Sequence, residues 1–167
     1  MFDDALLRAA GDLLKKAKEK NVFLCAAESC TGGLIAGVIT EIPGSSDVFL
    51  GGWVTYGNAT KQHFLGVAGE LLKNHGAVSE QVARTMSEGA LRAMKPSLSG
   101  KQKLLSIAVT GIAGPGGGTP EKPVGTVHLA ASDGKTTLHR KCLFHGSRQD
   151  IRWAAVKEAL AMLSKLF

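Results

Sequence analysis

From residue 3 to residue 19, apolar side chains recur every three or four positions, at Leu6, Leu7, Ala10, Leu13, Leu14 and Ala17. That spacing predicts a helix with one buried face. Residues 21–29, NVFLCAAES, form a short apolar run bounded by Asn and Ser, the pattern of a buried strand. TGGLIAGVITEI (31–42) predicts a helix that ends before Pro43. Residues 44–57 predict a turn and then a strand rich in Val, Trp, Thr and Tyr, and NATKQHFLGV (58–67) predicts a short helix. Over 79–94, Val82, Met86, Ala90, Leu91 and Met94 share one helical face, with Ser79 as N-cap, Glu80 in the first turn and Pro96 as the stop. KLLSIAVTG (103–111) predicts a second buried strand. VGTVHLAAS (124–132) and KTTLHRKCLF (135–144) are joined by Asp133-Gly134, a hairpin signal. A helix over 147–167 closes the chain, with Ser147 as its cap. Helices alternate with strands first and a hairpin follows, so a mixed sheet with helices on both faces is expected. No repeat or linker divides the pattern, and one domain is expected over 1–167. The segment 111–123, GIAGPGGGTPEKP, is the one stretch that looks flexible.

Composition narrows the class. Of the 167 residues 44% are apolar and 20% charged, which suits a globular core and argues against disorder. Aromatics are scarce at 5%, so the core has to rest on Ala, Val, Leu and Ile. The formal net charge is +6, yet the basic residues are scattered. Lys15, Lys16, Lys18 and Lys20 read as the solvated face of the first helix, and no nucleic-acid motif accompanies them. A small anionic ligand accounts for the charge as well as a polymer does. Cys25, Cys30 and Cys142 are an odd count without a framework, so free thiols in a reducing compartment are expected. The start, MFDDALLRAAG, is not a signal peptide, and no apolar run approaches the ~18 residues of a membrane span. A cytoplasmic protein without a membrane partner is expected.

The chemistry gathers at two strand ends, Ser29-Cys30-Thr31-Gly32-Gly33 and Thr110-Gly111-Ile112-Ala113-Gly114. In open α/β sheets ligands bind beyond the carboxyl ends of strands, and helix-start N–H groups favour anions there. Neither stretch is a Walker loop or a G-x-G-x-x-G fingerprint. Ser29 has three physically allowed uses: helix cap, phosphate ligand or nucleophile. ESCTG is not the G-x-S-x-G elbow, and S-x-x-K fails because position 32 is Gly. YGNATK (56–61) offers Tyr56 and Lys61 as partners for a nucleophile. A lysine base must be neutral, which requires its pKa to fall by roughly 2–3 units, a difference of about 3–4 kcal/mol. Glu28 could orient Lys61 or pair with another cation. His63, His75, His128, His139 and His145 lack the spacing of metal ligands, and His128 and His139 lie on predicted strands. Cys30 beside Ser29 reads as a small buried filler before an alternative nucleophile.

Longer stretches carry a resemblance. AAESCTGGLIAGVITEIPGSSDVFLGGWVTYGNATKQHFLGV (26–67) and VTGIAGPGGGTPEKPVGTVHLA (109–130) resemble the CinA C-terminal domain family, the nicotinamide-nucleotide amidohydrolases. GAVSEQVARTMSEGA (76–90) and GSRQDIRWAAVKEAL (146–160) extend the likeness over nearly the whole chain, which looks like the stand-alone form. The resemblance implies a three-layer α/β/α sandwich with a mixed β-sheet. It also implies hydrolysis of the carboxamide of nicotinamide mononucleotide to nicotinic acid mononucleotide and ammonia. The family's serine, lysine and tyrosine fall on Ser29, Lys61 and Tyr56. Its GDR element reads GSR here, keeping Arg148 and replacing the acid with Ser147.

Joined to that resemblance, the residues suggest a scheme. Ser29 attacks after losing its proton to neutral Lys61, and Tyr56 relays a proton or holds Lys61. Backbone N–H groups around Cys30–Gly32 stabilise the oxyanion, at roughly 3–4 kcal/mol per good donor. The substrate-binding residues are then Glu28, Cys30, Thr31, Gly32, Gly33, Thr110, Gly111, Gly114 and Arg148. No metal or organic cofactor is required. The partner is the small-molecule mononucleotide; nucleic acid is not expected, and a homo-oligomer is. The alternatives are a non-catalytic nucleotide-binding or regulatory module and a competence-linked, DNA-associated protein.

Overall fold

Alternate residues of the central strands face opposite helical layers, and this alternation organises the molecule. The computed structural model describes residues 2–98 and 102–167. Helix α1 (Asp4–Glu19) leads to β1 (Val22–Glu28), α2 (Leu34–Thr40), β2 (Phe49–Val54), α3 (Asn58–Leu65), α4 (Gly69–His75) and α5 (Glu80–Met94). Strands β3 (Lys103–Gly111), β4 (Thr126–Ser132) and β5 (Thr137–Leu143) follow, and α6 (Arg148–Ser164) closes the chain. The sheet order is β2-β1-β3-β4-β5. β1 runs parallel to β2 and β3, whereas β4 is antiparallel to β3 and β5, so the sheet is mixed.

Leu24 and Ala26 of β1, with Leu105, Ile107 and Val109 of β3, pack against α1, α2 and α6. Cys25 and Ala27, with Leu104 and Ala108, face the layer formed by α3, α4 and α5. The result is the three-layer α/β/α sandwich expected. Each fully buried Leu or Ile in these layers contributes ~1.5–3 kcal/mol. Gly89 lets α5 come close to α3, since a Cβ there would overlap the Leu65 carbonyl. That approach fixes the C-terminal end of the helix that carries Lys61.

Local differences from the sequence expectations have physical causes. α2 starts at Leu34 and not at 31, because Gly32 and Gly33 take positive φ (60° and 95°) and turn the chain first. α4 was not foreseen; it lacks a side-chain cap and has no fully buried residue. Pro96 lies in a 3₁₀ turn, Lys95–Ser97, that continues α5. The hairpin loop spans 133–136, with the Asp133 carboxylate accepting from the Lys135 and Thr136 N–H groups (2.9 and 2.7 Å). Ser79 and Ser147 cap α5 and α6 as expected, the latter in a capping box with Asp150. The 111–123 segment is irregular yet tied down: Thr119 and Lys122 exchange backbone bonds, and Lys122 Nζ donates to the His75 carbonyl (2.7 Å). The lysines of α1 are partly committed too, Lys18 to Asp47 (2.8 Å) and Lys16 to the Ser164 carbonyl (2.8 Å). Among the described residues no helix is long and apolar enough to cross a membrane.

Candidate active site

β1 delivers Ser29 to the carboxyl edge of the sheet. The ladder continues one residue further, with the Ser29 N–H donating to the Val109 carbonyl (3.0 Å). The chain then folds into a tight turn in which the Gly32 N–H donates to the Ser29 carbonyl (3.0 Å). Glu28, one residue earlier, is buried and turns the other way. Its carboxylate accepts from the N–H groups of Gly33 (2.9 Å), Ile35 (3.1 Å) and Ala36 (2.8 Å). A carboxylate at a helix N-terminus satisfies orphan donors and complements the dipole. Glu28 is therefore the cap of α2, which removes one of the three uses open to Ser29 and corrects the placing of Glu28 among the substrate-binding residues. Ser29 does not cap that helix, and Glu28 neither orients Lys61 nor lines the ligand cavity. Glu28→Ala leaves three helix-start donors without their acceptor, and a loss of about 2–4 kcal/mol in stability is expected from denaturant unfolding. A loss below about 1 kcal/mol would contradict this assignment.

Lys61 is the fourth residue of α3 and is 1% exposed. Its Nζ donates to Ser29 Oγ (2.9 Å), to the Thr55 carbonyl (2.6 Å) and to the Tyr56 carbonyl (3.4 Å). Thr55 is held in turn by its N–H on the Glu28 carbonyl (2.7 Å). Burial lowers the Lys61 pKa to about 8, against a small opposing influence of Cys30. The hydrogen count fits either protonation state. An ammonium has three N–H donors for three acceptors. A neutral amine keeps two N–H groups for the Thr55 and Tyr56 carbonyls and offers its lone pair to the Ser29 hydroxyl. One proton can thus move between Oγ and Nζ without breaking the rest of the network.

Ser29 and Lys61 open onto a cavity of about 280 Å³. One wall is Thr110–Gly114 with Gly116 and Gly117; Cys30, Tyr56, Asn58, Ala77, Val78 and Arg148 complete it. The Thr110 hydroxyl is committed to the Ala77 carbonyl (2.8 Å). Arg148 spans the rim, donating to the Gly114 carbonyl (2.6 Å) and to the Tyr56 hydroxyl (2.7 Å). A larger hollow of about 510 Å³ lies beside Leu91, Lys103 and Asp133, but its lining holds no nucleophile paired with a base.

Of the residues singled out in the sequence, Ser29, Lys61, Cys30, Tyr56, Thr110, Gly111, Gly114 and Arg148 meet at this cavity. Thr31, Gly32 and Gly33 do not line it. The turn carries them behind Ser29, where Gly32 faces Arg152 and Gly33 faces Val54. Of the two roles expected of Tyr56, contact with Lys61 is made by its backbone carbonyl and not by its ring, which is exposed at the cavity rim with the phenol bound to Arg148. Cys30 is buried and its thiol is pushed up to about 11, mainly by desolvation. A neutral thiol is a poor nucleophile, which favours the filler role. His128 and His139 stack on each other outside the cavity, and burial lowers both pKa values, that of His128 to about 4. Among the described residues no group of three or more His, Cys, Asp or Glu is placed to hold a metal.

Asn58, Ala77, Val78 and Arg152 escaped the sequence reading. Arg152 had a usable signal, since it lies four residues after Arg148 on the same helical face.

A family model, the CinA C-terminal domain, matches residues 7–167. The chain belongs to the CinA C-terminal domain family. A putative competence-damage inducible protein of Moorella thermoacetica is 45% identical over 161 residues, covering 96% of this chain and 36% of that protein. A CinA-like protein of Anaeromyxobacter sp. is 52% identical over 169 residues, covering 98% and 39% respectively. The chain thus spans little more than a third of the length of the curated relatives it matches. The crystal structure of the competence/damage inducible protein CihA from Agrobacterium tumefaciens matches with a TM-score of 0.92 at 43% identity, covering 99% of this chain and 98% of that one. A CinA superfamily protein from Escherichia coli matches at 0.88 and 30% identity, covering 100% and 94%. The sandwich described above is therefore the CinA C-terminal fold.

Proposed function

We propose that this CinA domain is an amidohydrolase that converts nicotinamide mononucleotide to nicotinic acid mononucleotide and ammonia. The observation that carries the reading is the buried Lys61 Nζ at 2.9 Å from Ser29 Oγ. A lysine held out of water beside a hydroxyl is a general base for a nucleophile. A binding module needs a charged lysine and gains nothing from discharging it.

Ser29 Oγ bonds to the carboxamide carbon as its proton passes to Lys61 Nζ. The carbon–nitrogen bond then breaks, and Lys61 returns the proton to the departing nitrogen, which leaves as ammonia. Water opens the acyl-enzyme, giving its proton to Lys61, and Ser29 recovers a proton from there. The pyridinium of the substrate repels a charged Lys61 and so favours the neutral base. Arg148 and the glycine-rich wall suit the ribose phosphate, with Arg148 leaving Tyr56 to meet it. The domain works as a cytoplasmic homo-oligomer in this reading, and the whole of 1–167 acts as one unit.

The test is ammonia release from the mononucleotide by purified protein, followed against pH. The base must be unprotonated, so kcat/KM is expected to rise with pH up to about 8 and to level off above it. At pH 7 roughly one tenth of Lys61 is neutral, one pH unit below its midpoint. No ammonia, or a rate flat from about pH 6 to 9, would overturn the reading.

A further inference from the structure

Asn58 opens α3 and lines the cavity with Tyr56 and Lys61. It is exposed, and the cap position before it belongs to Gly57, so its side chain is not spent on starting the helix. The hydroxyls of the lining are committed. The Thr110 hydroxyl donates to the Ala77 carbonyl, the Tyr56 hydroxyl accepts from Arg148, and Ser29 Oγ is bonded to Lys61. Arg148 also covers the Gly114 carbonyl, and the Cys30 thiol is a weak partner in either direction. Among the described residues the Asn58 amide makes no hydrogen bond, so this lining group offers a strong neutral acceptor and donor without breaking an existing contact. Three positions separate Asn58 from Lys61. The two side chains therefore leave one helical face, with Cβ atoms about 5–6 Å apart.

We propose that Asn58 is a specificity-determining residue whose Oδ1 accepts a hydrogen bond from the leaving nitrogen of the substrate, so that the site selects a primary amide. The proposal rests on the amidohydrolase reading. In that reading Lys61 Nζ takes the Ser29 proton and returns it to the departing nitrogen, so that nitrogen has to come within reach of Nζ. The side chain one turn before Lys61 is then its neighbour. A carboxamide nitrogen carries two hydrogens, whereas an ester oxygen in the same place has none to give. As Ser29 Oγ bonds to the carbon, the nitrogen becomes tetrahedral and gains a lone pair. That lone pair has to face Lys61 to receive the proton, and an acceptor on one N–H turns it that way. The Thr55 and Tyr56 carbonyls are already taken by Lys61 Nζ. A site built to hydrogen-bond a substrate N–H rejects an analogue that lacks it.

The test compares nicotinamide mononucleotide with the methyl ester of nicotinic acid mononucleotide, which differ only at the leaving group. For both, kcat/KM covers the steps through departure of that group, and the ratio cancels the ionisation of Lys61 and the binding of the shared ribose phosphate. Asn58→Ala is expected to lower kcat/KM for the amide by about 10- to 100-fold and to leave the ester within about threefold. Asn58→Asp keeps an accepting oxygen, so its amide-to-ester ratio should stay within about threefold of wild type. Folding should survive both changes, because Asn58 is exposed at the helix start. A ratio that Asn58→Ala leaves unchanged, whether both rates hold or both fall, overturns the proposal. So does a ratio that Asn58→Asp lowers as far as alanine does. Wild-type protein that releases no ammonia from the amide sinks the amidohydrolase reading and this assignment together; an active wild type with an unmoved ratio sinks the assignment alone.

Discussion

Ser29→Ala protein is expected to lose at least about 10³-fold in kcat for ammonia release while its affinity for the mononucleotide changes by no more than about threefold. The two halves follow from different parts of the geometry. The hydroxyl is the atom bonded to Lys61, so its removal takes away both the attacking oxygen and the proton that the base accepts. The cavity walls at Thr110–Gly114 and the rim arginine are untouched by the change. Cys30 does not step in, because its thiol stays neutral until about pH 11. Folding should survive: Ser29 is held by its backbone N–H on Val109, and an alanine methyl fits where a hydroxyl was. Isothermal titration gives the affinity, and single-turnover kinetics gives the chemistry. A variant that still turns over at the wild-type rate removes Ser29 from the mechanism, whatever binds.

Much of the sandwich was legible because burial imposes periods. Apolar residues of α1 and α5 recur at helical spacing, and 103–111 is a continuous apolar run whose bounds match β3. Boundaries failed where side chains from elsewhere intervene. The start of α2 depends on the Glu28 carboxylate folding back over five to eight positions, while Ser29, a better capping residue by propensity, is taken by Lys61. The Ser29–Lys61 pair itself spans 32 positions and was located through the family likeness; spacing along the chain does not contain it. Tyr56 shows the limit from the other side. A residue type that fits a proton relay stands at the rim, because Arg148 holds its phenol there. Arg152 was invisible as chemistry, since its guanidinium binds the Cys30 and Thr31 backbone carbonyls, which no sequence pattern displays.

Lys61→Met should abolish turnover, by at least about 10³-fold, and also flatten a specific limb of the stability–pH curve. In the folded protein Lys61 titrates near 8; in the unfolded chain it returns to its ordinary value of 10.5. Between these values the unfolded state holds a proton that the folded state has released. Stability therefore rises with pH across that window. Below pH 8 both states are protonated and the full cost of burying the ammonium is felt, about 3 kcal/mol for a shift of this size. Methionine has a similar length and no charge, so the variant escapes this cost. It leaves the Thr55 and Tyr56 carbonyls without their donor, at about 1–3 kcal/mol, so the two changes roughly cancel at pH 7. Groups that do not interact with Lys61 drop out of the difference, and Cys30, which does, keeps its proton in the folded protein until about pH 11. Denaturant unfolding from pH 7 to 10.5 should accordingly show the wild type gaining about 3 kcal/mol relative to Lys61→Met. A phosphate ligand in open solvent predicts the opposite pair of results, parallel stability curves together with a raised KM at intact kcat. Because a neutral amine is required both to accept the Ser29 proton and to produce the stability limb, the two measurements stand or fall on the same burial of one nitrogen.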